Sequence, residues 1–84
     1  MKFSLGEQVV WTSRGGSTEK EKQGHVEAII KADHRPNQEQ RREADAHGLP
    51  RDHESYLIRV PAPNGKGKGK LYWPLVANLR KVES

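Results

Sequence analysis

The stretch SYLIRVPAPNGKGKGKLYWP, residues 55–74, decides the fold. Its opening run, Ser55–Tyr56–Leu57–Ile58–Arg59–Val60, is rich in β-branched and aromatic residues. It alternates, with Tyr56, Ile58 and Val60 on one face and Leu57 and Arg59 on the other. Pro61 and Pro63 stop this strand, because proline cannot donate to a ladder. Asn64–Gly65 starts a hairpin turn that Lys66–Gly67–Lys68–Gly69 lengthens. Lys70–Leu71–Tyr72–Trp73 then returns as a strand, and Pro74 breaks it. If Leu71 and Trp73 point inward, alternation sends Tyr72 outward, on the same hairpin as the lysines.

The same period of two recurs upstream. Gln8–Val9–Val10–Trp11–Thr12 follows Gly6–Glu7 and reads as a strand with Val9 and Trp11 on one face. Gly24 opens His25–Val26–Glu27–Ala28–Ile29–Ile30–Lys31. Here Val26, Ala28 and Ile30 share one face, and His25, Glu27 and Ile29 the other. Between these strands, Ser13 to Gln23 holds Gly15–Gly16 and the run Glu19–Lys20–Glu21–Lys22, which reads as an exposed loop. Downstream, Leu75 to Asn78 fits one short helical turn before a last strand, Leu79–Arg80–Lys81–Val82.

Asp33 to Glu54 departs from this pattern. Pro36 suits a first helical turn and Gly48 a helix stop, with good helix formers between them. No apolar stripe accompanies them, so packing can hold such a helix only weakly. The segment, residues 33–54, reads as a polar, helical or mobile insertion between strands 2 and 3. Five short strands and no sizeable amphipathic helix give a mainly all-β fold: a small, partly open, five-stranded antiparallel barrel. Its core is expected to hold Val9, Trp11, Val26, Ala28, Ile30, Ile58, Val60, Leu71, Trp73, Val76 and Leu79.

Composition bounds the rest. Eighty-four residues make one domain, 1–84, whose core must be small because only 32% of them are apolar. There is no cysteine, which excludes disulfides, thiolate metal sites and cysteine nucleophiles. No apolar run approaches the roughly 20 residues of a membrane span or the roughly 7 of a signal-peptide core, so a cytoplasmic location is expected. The net charge is +4. Lysine plus arginine balances aspartate plus glutamate over residues 1–63, whereas 64–84 carry Lys66, Lys68, Lys70, Arg80 and Lys81 against Glu83 alone. The whole excess lies in the last quarter of the chain, where it would attract phosphate or acidic protein, or simply keep a face solvated.

With these residues placed, the chain resembles the SH3-like barrel superfamily, which includes KOW and Tudor modules. The Gly6–Glu7 before a Val-Val-Trp strand, the polar loop and the Gly24 before a second strand are similar to the opening of those barrels. Tyr72–Trp73–Pro74–Leu75–Val76–Ala77–Asn78–Leu79–Arg80–Lys81–Val82 is similar to the strand, 3₁₀ turn and final strand that close an SH3 barrel. The segments RDHESYLIRV and LYWPLV also resemble those of small uncharacterised bacterial and phage proteins. The resemblance implies a barrel that presents aromatics between loops.

Four kinds of chemistry were weighed on these residues. A nucleic-acid surface would combine Lys66, Lys68 and Lys70 with Arg80, Lys81 and Arg59, beside Tyr72 as a stacking platform. Lysines separated by glycines adapt to a phosphate backbone without reading bases. A protein groove would use Tyr56, Tyr72, Trp11 and Trp73, although a small core needs large side chains first. A phage inhibitor of a host defence complex is a sharper version of that reading. Catalysis would rest on Asp52–His53–Glu54–Ser55, as in a metal-independent ribonuclease with His25 or His53 as acid or base and Arg51 or Arg59 on the phosphate. That run reads more simply as the polar start of a strand. Metal binding would need His25, His34, His47 and His53, whose spacing matches no common zinc signature. The expectation is therefore a non-catalytic binding module with no metal and no cofactor. It engages a protein partner or nucleic acid and no membrane.

Overall fold

The computed structural model describes residues 3–15, 18–44, 46, 49–62, 65 and 67–82, with main chain alone for 13–15 and 18–20. Five strands form one open antiparallel sheet: β1 (Gln8–Gly15), β2 (Thr18–Ile30), β3 (Ser55–Val60), β4 (Lys70–Tyr72) and β5 (Arg80–Lys81). Their order is β4-β3-β2-β1-β5, so β4 and β5 are the edges. A short helix, α1 (Gln38–Glu43), lies between β2 and β3, and a 3₁₀ turn (Val76–Asn78) precedes β5. Among the described residues no helix is long and apolar enough to cross a membrane.

The expected loop from Ser13 to Gln23 is instead the far end of a hairpin. β1 and β2 pair without interruption from Gln8↔His25 through Trp11↔Lys22 to Gly15↔Thr18. Its composition is polar on both faces, which removes the alternation that marks a half-buried strand. Main-chain hydrogen bonds alone are enough to extend a ribbon whose root is anchored by Val9 and Trp11.

A bulge corrects the reading of β2. The register runs from Val26↔Ile58 to Ala28↔Leu57, so Glu27 is an extra residue. One inserted residue moves every later side chain to the opposite face. Val26 and Ile29 therefore join one apolar cluster, while Ala28 and Ile30 join the other. The main chain uses the irregularity. Val26 N–H donates to Glu7 O at 3.0 Å, and Val26 O accepts from Gly6 N–H at 2.8 Å.

The sheet has two packed faces where one core was expected. The larger cluster holds Phe3, Val9, Trp11, Val26, Tyr56, Ile58 and Leu79, with Ile29, Val60, Tyr72 and Val76 against it. Phe3 meets Tyr56 edge to face at 5.2 Å between centroids. The smaller cluster holds Ile30, Leu57 and Leu71, with Ala28, Ala44 and Trp73 against it. β3 is thus buried on both sides, and its alternation sorts residues between two cores rather than between core and water.

The segment after β2 covers this second face. Asn37 caps α1 in a reciprocal box: its Oδ1 accepts from Gln40 N–H at 2.8 Å, and Gln40 Oε1 accepts from Asn37 N–H at 3.0 Å. The helix ends at Glu43, short of the expected stop. Gly48 lies outside the described residues. Pro36 and Ala46 are buried, and Asp33 N–H donates to Arg51 O at 2.6 Å, which ties the two ends of the connection together.

Candidate anion-binding groove

Close approach of β3 and β4 shapes the site. Gly69 has φ +78, and a Cβ built there would lie 2.0 Å from Val60 O, so only glycine fits. β4 then pairs with β3 as Val60↔Lys70, Arg59↔Leu71 and Ile58↔Tyr72. Alternation sets Lys70 and Tyr72 on the face of Val60 and Ile58, the face of the larger core. Trp11 and Lys22, paired across β1 and β2, reach the same place from the other side.

The result is an open groove of about 550 Å³ lined by Lys22, Val60, Pro61, Ala62, Gly67, Lys68, Gly69, Lys70 and Tyr72. Among the described residues, three lysines and no carboxylate line it. Tyr72 is half-buried, with its ring against Trp11 at 5.6 Å between centroids and 65° between planes. Lys22 Nζ lies 5.0 Å and Lys70 Nζ 5.2 Å from its ring centroid, both in cation–π range. The expected outward Tyr72 is corrected accordingly: it leans on the larger core and offers the groove the rest of its ring.

Three of the other expected contact residues, Arg59, Arg80 and Lys81, are not part of this lining. Lys66 lies outside the described residues, as do Pro63 and Asn64 of the turn. Arg59 is sequestered. Its Nε donates to Glu27 Oε1 at 2.9 Å, its Nη2 to Glu27 Oε2 at 2.6 Å, and its Nη1 to Glu43. The two carboxylates raise the guanidinium pKa beyond its already high value. Arg59 in turn holds Glu27 and Glu43 below the usual carboxylate range, chiefly by hydrogen bonding. A weaker pull on Glu43 comes from Lys68, which places that lysine within electrostatic reach of α1. Arg80 and Lys81 sit on β5, at the far edge of the sheet. Arg80 meets Glu21 at 3.6 Å and Lys81 meets Glu7 at 3.7 Å, in solvent-accessible pairs of little energetic weight.

Of the residues considered for catalysis, His25 and Arg59 are cross-strand neighbours on β2 and β3. His53 Nδ1 is 2.9 Å from Asp52 Oδ1, on exposed side chains, and this contact lowers the Asp52 pKa. Ser55 is buried, and its Oγ accepts the indole N–H of Trp73 at 2.8 Å. Arg51 stacks on that indole at 3.9 Å and donates to the Trp73 and Pro74 carbonyls. Burial lowers its pKa. His47, one of the four histidines weighed for metal, lies outside the described residues.

Of this groove's lining, the sequence reading names Lys68, Lys70 and Tyr72 as contact candidates and does not name Lys22, Val60, Pro61 or Ala62. Lys22 was hidden in a charge-alternating run. Only the strand register sets it opposite Trp11. No protein-family model, no curated protein and no solved structure matches the chain.

Proposed function

We propose that the chain is a non-catalytic module that grips the phosphate backbone of a nucleic acid in the groove between Lys22 and the β3–β4 turn. One observation carries this: three lysines from two separate parts of the sheet converge on one groove, with no carboxylate among its described lining residues. Clustered cations on a concave surface raise the local concentration of anions and release counterions when phosphate binds. The glycines flanking Lys68 suit a backbone-following contact without base readout. The framework on which we place this site is an SH3-like barrel left partly open. The setting of β1 between β2 and β5, and the 3₁₀ turn before β5, support it.

The test is fluorescence anisotropy with labelled mixed-sequence DNA and RNA at about 50 mM salt. Binding is expected. With three phosphates neutralised at about 0.7 each, it should weaken roughly 20-fold by about 200 mM. Lys22→Gln, Lys68→Gln and Lys70→Gln should each weaken every sequence alike and flatten the salt slope. Undetectable binding to all probes, with an acidic protein retained instead, would replace nucleic acid by a protein partner.

A further inference from the structure

We infer that the groove takes a single strand, with one unstacked base on Tyr72 and the neighbouring phosphates on Lys22, Lys68 and Lys70. This rests on the polyanion reading above and narrows it to one class of ligand. A phosphate cradle alone needs cations and main-chain donors. This groove has in addition a floor of Val60, Pro61 and Ala62 and an aromatic ring set between its lysines. A ligand made only of anions would leave that floor in water. A duplex presents its phosphates outward and keeps its base faces stacked inside, so it could satisfy the lysines but not the ring. A nucleotide in a single strand offers both halves together: a planar apolar face, and charges a few ångströms away.

The positions of the lysines fit this division. Lys22 and Lys70 lie over the Tyr72 ring at 5.0 and 5.2 Å, where they satisfy the ring's electron-rich face in the free protein. Both are long side chains whose ammonium groups reach phosphate by rotation about single bonds. When phosphate draws them off the ring, the ring surface they covered becomes a stacking platform. Trp11, in T-shaped contact at 5.6 Å between centroids, holds the ring in place while they move. Base-on-aromatic stacking is tolerant of sequence, which agrees with a site that has no fixed donor–acceptor pattern.

The experiment compares four probes at equal total phosphate, with affinities expressed per phosphate: a mixed single strand of about 8 nucleotides, an abasic strand of the same length, a duplex of the mixed sequence, and inorganic polyphosphate. The inference predicts that the mixed strand binds at least about 5-fold more tightly than the abasic strand and the duplex. Tyr72→Leu should erase that preference and Tyr72→Phe should keep it. Since Tyr72→Leu can also loosen the core, contacts between Tyr72 ring protons and base protons, read by NMR on the unaltered protein, provide the independent measurement and are expected to be present. Equal binding of the mixed, abasic and polyphosphate probes overturns the inference and leaves the polyanion groove standing. Failure of all four to bind overturns both.

Discussion

Arg59 shows how far a single residue's role can sit from its sequence neighbourhood. In a strand beside Leu57 it reads as a surface cation. Its partners, Glu27 and Glu43, are 32 and 16 residues away and become visible only when α1 folds over the sheet. Removing it leaves two carboxylates facing each other at the base of the helix. Arg59→Met should lower the urea-unfolding midpoint, since it leaves two part-exposed carboxylates without their shared cation; an unchanged midpoint would refute the triad. The same contacts set a pH dependence. Glu27 and Glu43 have folded pKa values below their ordinary 4.5. Their contribution is complete above that value and is lost as pH falls through the lowered folded values. Unfolding midpoints measured from neutral pH downward should therefore fall more steeply for the natural chain than for Arg59→Met. The proximity of Tyr72 to Lys70, by contrast, was legible from alternation and one turn, because it is local, whereas Lys22 arrives only through the register of β1 and β2.

At the scale of elements, the β3–β4 hairpin was readable because its turn residues and strand period agree. Gly69→Ala should destabilise the chain by about 2 kcal/mol or more, combining the left-handed backbone penalty with the clash on Val60 O, and should weaken anion binding as the groove deforms. Thermal melts and anisotropy on one preparation would check both effects. The outer half of the β1–β2 ribbon was not readable as strand, because residues 13–23 are polar throughout and offer no hydrophobic period. The bulge at Glu27 was not readable either. A one-residue slip leaves no trace in a single strand and becomes apparent only against Ile58 and Leu57 on its partner. For α1, good helix formers were visible but the cap was not recognised as Asn37 with Gln40. Asn37→Ala should cost about 1 kcal/mol, read as a fall in helical hydrogen-exchange protection.

The whole molecule solves the problem of a small apolar fraction by sharing one sheet between two cores. The expected core residues were largely the right ones, but they divide: Leu71 and Trp73 belong with Leu57 under α1, and Trp11 and Ile58 with Phe3 on the other face. Hydrophobic alternation cannot tell a wet face from one covered by a later segment. Trp73→Ala should cost about 3 kcal/mol, since it removes the stack of Arg51 and orphans Ser55 as well as deleting apolar area. Equilibrium unfolding of a chain this size would register that as loss of much of its stability. The larger core leaves its rim, where Lys22, Lys70 and Tyr72 meet, as the place where charge and aromatic surface coincide. Amide chemical-shift mapping with a short single-stranded oligonucleotide tests that coincidence most directly. The largest changes are expected at Lys22, Val60, Ala62, Gly67, Lys68, Gly69, Lys70 and Tyr72. Changes centred instead on Arg80 and Lys81 of β5, with the groove silent, would contradict it.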